Sequence, residues 1–349
     1  MEFIFFTKYD ESGPSSRYRI YQYIKHYEAE GIICKVYPLF DKKYFTVRGG
    51  GKVVYVLKRY FLRLVQLFKI MQIKNVYIEY ELFPYFFPFF EALLHLFGIK
   101  YIVDFDDAIF HNYDSHSNII IRFLFRDKIK KVIKNAKKVI TGSPYLTYYA
   151  KKNNICVEEI PTSVSCIKYP KPNLKIKNDN FIVGWIGSKS TSTNLIDLVQ
   201  VFKNIDDIGY CLYLVGFDVD LEYKLKGINY KIIPWSADTE VYWINKFDVG
   251  IMPLVDNFFN KGKCGFKLIQ YMACGKPTIS TPLEANVKIN RNKKNLHASS
   301  SSDWEIEIRK VFENREVFNR VGMDNYNCFF DFYCVENNKN QYISILKKL

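Results

Sequence analysis

The sequence has no CxxC pair: its eight cysteines, Cys34, Cys156, Cys166, Cys211, Cys264, Cys274, Cys328 and Cys334, are scattered, several of them inside apolar runs. That spacing excludes a disulfide framework and a zinc site and reads as reduced, mostly buried thiols. A long clean hydrophobic run is also missing. The longest apolar stretch, LFPYFFPFFEALLHLFGI, carries two prolines, Glu91 and His95, which rules out a spanning helix. The opening MEFIFFTKYD has no basic leader and only a short apolar core, so no signal peptide is expected and a cytoplasmic location follows. Acidic residues are few for the size, 36 Asp and Glu against 50 Lys and Arg, a formal net charge of +14. Such an excess suits an anionic partner: nucleic acid, a membrane surface or phosphorylated small molecules. No nucleic-acid partner is expected, because no reading module is present and the 27 Tyr and 29 Phe fall mostly at core spacing.

What is there is ample material for a core. A hydrophobic fraction of 48% with 25% charged residues belongs to a globular chain, and 349 residues suit two domains. EFIFF, a polar loop, the helical YRIYQYIKHYEAEG and ICKVYPL open a rhythm of strand, loop, helix and strand. NVYIEY, KYIVDFDD, KVITGS and VEEIPT continue it, which implies a parallel sheet covered on both faces. After a polar, proline-bearing stretch the rhythm restarts with FIVGWIGS, YCLYLVG, NYKIIPWS, DVGIMPL and PTIST, and from about Trp304 onward only helical segments remain. The expected fold is α/β, two tandem Rossmann-like doubly wound domains facing across a cleft. Residues 1–163 form a first domain, 164–180 a linker, 181–325 a second domain and 326–349 a terminal helix packing back on the first domain.

Three loops offer ligand chemistry. In NKGKCGFKLIQYMACGKP the lysines Lys261, Lys263 and Lys267 surround a helix start, where the dipole favours negative charge. A diphosphate there would neutralise Lys263 and Lys267, with Gly265 and Phe266 opening the helix and Gln270, one turn deeper, reaching a ribose hydroxyl. Phe266, Ile269 and Ala273 are expected to pack inward. VGWIGSKSTSTNL repeats the logic with Gly187, Ser188, Lys189 and a capping Thr191 or Thr193. ESGPSSRYR bends at Gly13 and Pro14 and presents Arg17 and Arg19 to a phosphate. Finally, VDFDDAIF sets Asp104, Asp106 and Asp107 at a strand end. Asp104 and Asp106 share a face by alternation, so that mutual repulsion raises one pKa and the pair can orient an acceptor hydroxyl or act as a base. The competing bland readings are a solvated Lys/Gln face, a capped turn and a surface loop.

GWIGSKSTSTNL, DVGIMPL and GKCGFKLIQYMACGKPTIST, in that order and spacing, resemble the nucleotide-sugar-binding domain of retaining glycosyltransferases of family 4, which have the GT-B fold. GPSSRYRIYQY, IEYELFP and DFDDAIF are similar to the acceptor half of one bacterial branch. The resemblance implies transfer of a sugar from a nucleotide diphosphate sugar, UDP-linked, to a saccharide or lipid-linked acceptor of a cell-surface polysaccharide, with no cofactor and no metal. It places Lys263, Lys267 and Asp106 at the chemistry and Pro234 and Trp235 beside the base. This chain departs from the family pattern in having Gly262 and Gln270 where two glutamates usually stand, Ser188 and Thr193 in place of a basic pair, and Asp106 in place of a histidine. An epimerase or phosphorylase on the same fold is the alternative. The segment 55–74, with Lys58, Arg59, Arg63, Lys69 and Lys74 beside Tyr55, Phe61, Leu62, Val65 and Phe68, is expected to attach to an anionic membrane surface through its charges.

Overall fold

A computed structural model describes residues 1–69, 75–172 and 180–349; part of the expected linker, 173–179, and Lys74 lie outside the described residues. By its internal contacts the chain forms two units. One comprises Met1–Thr162, Lys261–Cys264 and Asn338–Leu349, the other Ser163–Asn260 and Gly265–Asn337.

The first unit is built on six parallel strands: β1 Glu2–Tyr9, β2 Ile33–Phe40, β3 Asn75–Glu79, β4 Lys100–Phe105, β5 Lys138–Thr141 and β6 Val157–Glu159, in the order β2-β1-β3-β4-β5-β6. β1 pairs with β2 on one side and β3 on the other, Ile4 lying opposite Lys35 and Val76. With helices over both faces its side chains have no polar side to turn to, which is why Phe3, Ile4, Phe5 and Phe6 run consecutively and are all fully enclosed. Ile4, Phe6, Ile78, Val103, Phe105, Val139 and Leu146 belong to one core cluster of this unit.

The second unit repeats the architecture with β7 Phe181–Ile186, β8 Tyr210–Val215, β9 Tyr230–Ile233, β10 Val249–Met252, β11 Thr278–Ser280 and β12 Leu296–His297, ordered β12-β11-β10-β7-β8-β9. All pairings are parallel. Counted within the unit this is the 3-2-1-4-5-6 order of a dinucleotide-binding sheet. Val183, Trp185, Leu214, Ile251, Ile279 and Trp304 fill its core. Position 326 lies inside one continuous helix, Arg315–Tyr333, with Phe329 and Tyr333 buried beyond it. The chain passes to the first unit only at Asn338, within the helix Val335–Lys347.

The cysteines are all free thiols. Cys166 and Cys334 nevertheless meet, together with Glu336, their ligand atoms within 4.8 Å of one another. Glu336 accepts from Ser165 Oγ, the Cys166 amide and the Cys334 thiol. Burial works to raise its pKa, but these donors outweigh it and hold the carboxyl down at about 2. Thiols left protonated beside a carboxylate acceptor fit a hydrogen-bonded clasp at the Val164–Cys334 bridge.

Candidate active site

In an open parallel sheet, ligands bind beyond the carboxyl ends of the strands where the strand order reverses. The reversal falls between β1 and β3 in the first unit and between β7 and β10 in the second.

In the first unit, β1 ends in a tight loop that Gly13 must close, because a Cβ there would lie 2.4 Å from Tyr9 Cβ. Pro14–Ser16 then starts a helix and Arg17–Tyr21 widens into a π-helical turn, a distortion often found at functional sites. This entry delivers two serines to the end of β3. Ser16 Oγ donates to Glu79 Oε2 at 2.6 Å, the Lys8 amide donates to the same oxygen at 2.8 Å, and Glu79 Oε1 has no hydrogen-bond partner among the described residues. Burial pushes the Glu79 carboxyl up to about 8, the Ser16 bond offsetting part of the rise. Tyr80, next in the chain, is held in the left-handed region at φ 64°. Its hydroxyl meets Asp106 Oδ1 and Ser15 Oγ. Asp106 is half-buried, and burial, with the charge of Asp107 second, raises it to about 6. Asp107 pairs with Lys263 at 2.8 Å; burial alone would lower the Lys263 pKa, but that carboxylate raises it.

Several expectations change here. Lys263, expected beside a diphosphate, has Asp107 as a counter-charge within the first unit. Asp104 is not an acceptor contact: at 1% exposure it is enclosed, taking bonds from Arg19 Nε and Nη2 and from the Tyr77 hydroxyl. Arg19 is equally enclosed, spending its remaining donors on Ile160 O and Thr162, so it cannot present itself to a phosphate. At this site the raised carboxyls are Asp106 and Glu79, and burial is the first cause for both. Arg17 stays half-buried near the loop, its guanidinium reaching Ser12 O. Glu79 and Tyr80 were missed. The available signal was a glutamate closing a strand directly after three apolar or aromatic residues, VYIE, where burial demands a reason for the charge.

In the second unit the site is assembled after β7. Trp185 is fully buried and Lys267 Nζ lies 4.1 Å from its ring centroid, also reaching Thr191 Oγ1 at 3.3 Å. The ring sets where the ammonium sits at the start of the helix Phe266–Ala273, whose N-cap is Gly265 at φ 64°. Gly187 keeps the two together: a Cβ there would come within 2.3 Å of the Trp185 ring and 2.8 Å of Lys267 Nζ. The turn that follows is closed by Ser188 and Thr191, the Ser188 amide donating to Thr191 Oγ1 at 3.1 Å. Thr193 does not cap it and is exposed. Lys189 is paired with Asp218 at 3.3 Å. Pro234 is exposed and Trp235 is 38% exposed, its indole N–H donating to Glu240 Oε2 at 2.8 Å. Gln270 is buried and turned inward, donating to the Tyr169 hydroxyl at 2.8 Å, which in turn donates to Glu240 Oε1 at 2.9 Å. Its amide therefore supports the network under Trp235 and is not offered to a ribose. Phe266, expected inward, is half-buried.

The two parallel six-stranded sheets with their helices have the GT-B fold, and comparison with known proteins shows what the chain is similar to. Residues 180–314 match the family described as Glycosyl transferases group 1. No curated protein matches the sequence. Among solved structures, sucrose-phosphate synthase from Thermosynechococcus elongatus is similar at TM-score 0.75 and 13% identity, over 100% of this chain and 98% of that one. WaaG, a glycosyltransferase involved in lipopolysaccharide biosynthesis, is similar at TM-score 0.71 and 12% identity, over 99% of each. HepE from Anabaena, solved with UDP-glucose, is similar at TM-score 0.70 and 12% identity, over 100% of each. The second unit thus carries a group 1 glycosyl transferase module, and the chain is a glycosyltransferase.

Proposed function

We propose that this enzyme moves a sugar, with retention at the anomeric carbon, from a UDP-linked donor to a saccharide or lipid-linked acceptor of a bacterial cell-surface polysaccharide, on the cytoplasmic side of the membrane. The observation that carries this reading is the Lys267 ammonium, fixed on the Trp185 ring at a helix amino terminus beside the β7 turn. Breaking the anomeric C–O bond leaves negative charge on the departing diphosphate. A preorganised cation and a helix dipole stabilise that charge more in the transition state than in the ground state. The acceptor oxygen bonds to the anomeric carbon on the face the diphosphate leaves, and its proton passes to the leaving phosphate. Charge neutralisation by Lys267 makes a metal ion unnecessary. The half-exposed Trp235 gives the base a stacking face. In the first unit Asp106, ionised at neutral pH, accepts from the acceptor hydroxyl and orients it. HepE is described with UDP-glucose and WaaG with lipopolysaccharide biosynthesis, which supports the donor and the pathway class.

The test is product analysis over a panel of nucleotide sugars with saccharide acceptors, in the presence of a chelator. An α-linked product from an α-linked donor, made equally well with chelator, is expected. An inverted linkage overturns retention, and consumption of donor at the same rate without acceptor favours an epimerase.

A further inference from the structure

We propose that one face of the first unit is a lipid-binding surface that seats the enzyme on an anionic bilayer by inserting apolar side chains. This goes beyond the transfer reaction and holds or fails without it.

Three segments of the first unit turn large apolar side chains outward. The helix Gly49–Lys69 already buries one face, through Tyr60, Arg63, Leu64 and Leu67. A helix lying on a sheet should then be polar on the other side. Here Val54, Leu57, Phe61 and Phe68 follow the spacing of a single face and are open, Phe61 at 66% and Phe68 at 73%. The aromatic loop that follows β3 exposes Phe86 and Phe87, and Phe89 is exposed at the start of the helix Phe89–Leu96. The short helix Ile119–Phe125 exposes Ile119, Ile120 and Phe123, the last at 81%.

These segments are neighbours. Tyr60 on the long helix donates to Pro84 O and packs on Phe83 at 5.3 Å, Phe83 packs on Phe86 at 6.1 Å, and Phe87 packs on Phe125 at 5.0 Å. The result is one apolar tract. Contiguous exposed apolar surface of this kind marks a protein or membrane interaction site.

Charge selects the occupant. Segments 49–69, 85–97 and 119–126 contain a single acid, Glu91, and it is buried. Lys58 and Arg126 are exposed at the margin. Aromatic and aliphatic tips with Lys58 and Arg126 beside them, and with the half-buried Asp127 at the edge already paired to Arg126 and Lys130, match an interface of acyl chains under anionic headgroups. The mode differs from the one expected of this helix. Arg63 is enclosed, donating to Thr7 O at 3.0 Å and Tyr37 O at 2.9 Å, and Arg59 donates to Pro38 O and Leu39 O. Those two charges serve the strand ends, so apolar insertion dominates and the remaining cations tune it.

The test is co-sedimentation of the full chain with vesicles of phosphatidylcholine alone or mixed with phosphatidylglycerol. Binding to the mixed vesicles is expected, and Phe61→Asp with Phe68→Asp, or Phe86→Asp with Phe123→Asp, should each weaken it at least tenfold. These side chains are exposed, so transfer to a soluble acceptor should persist in the same variants and certifies their fold. Failure of wild-type protein to pellet with either vesicle overturns the proposal. So does binding that ignores both pairs of substitutions, or that is abolished by salt while indifferent to them. A concentration-dependent dimer, seen without vesicles and broken by the same substitutions, overturns it in favour of a second copy.

Discussion

Glu79 is the residue whose environment most contradicts its chemistry, since a carboxyl enclosed in a strand end is held protonated into the neutral range. Its folded value of about 8 lies above the ordinary 4.5, so between those limits the folded protein keeps a proton that the unfolded chain has lost. Stability contributed by this group is full below about 4.5 and is lost as pH rises toward 8, by at most about 1.4 kcal/mol per pH unit. The stability of wild type relative to Glu79→Gln, followed by chemical denaturation from pH 5 to 8, should fall accordingly. Parallel profiles would show that the carboxyl is ionised throughout. At the same scale, Lys267→Ala should lower turnover by at least about 10²-fold, the usual loss when one preorganised charge to a developing anion is removed. Steady-state kinetics on the folded variant checks it; a near-normal rate would move the leaving-group contact elsewhere. What the sequence made legible at this scale was that something anionic belongs near Lys263 and Lys267. It did not separate the two, because whether a lysine meets a ligand or a protein carboxylate depends on which distant strand end, here that of Asp107, arrives beside it.

Among elements, eleven of the twelve strands in the described residues are visible as short apolar runs between turn residues; the two-residue β12 is too short to carry a period. Helix faces are harder to read. Gln270 and Lys267 share helical spacing, yet one is enclosed under Tyr169 and the other lies on Trp185, because neighbours from remote segments decide which positions are covered. Arg63 reads as one of the charges offered to a membrane surface, and strand-end carbonyls claim it. Close approach, by contrast, makes a firm prediction: Gly187→Ala should cost roughly 1–3 kcal/mol through forced movement of the Trp185 ring. It should also depress turnover by displacing Lys267. Gly50→Ala, with nothing within 4 Å of the added Cβ, should stabilise the Gly49–Lys69 helix by about 0.5–1 kcal/mol. Thermal melts of the two variants should move in opposite directions, and equal shifts would refute the packing account of Gly187.

In the whole molecule the two units are not two halves of the chain. Tyr342 belongs to the first unit, where it is buried 4.6 Å from the Tyr23 ring and 5.7 Å from the Arg19 guanidinium, itself locked to Asp104. Removing that ring leaves a cavity beside a buried ion pair, so Tyr342→Ala should destabilise the protein by about 3–5 kcal/mol. Denaturant unfolding monitored by circular dichroism measures this, and a loss below about 1 kcal/mol would mean that the segment is dispensable to the first unit.

That arrangement has a consequence in time. A ribosome adds about 5–20 residues per second, and a domain ordinarily folds as soon as it emerges. Here Thr162 closes the bulk of the first unit, but Asn338–Leu349 is made 176 residues later, as 338 minus 162 gives. The first unit therefore waits roughly 10–35 s, at that rate, with the ring of Tyr23 lacking its partner Tyr342. Nascent chains of this protein should spend that interval as clients of the folding machinery, and the second unit, which needs nothing beyond Asn337, should be complete before the first.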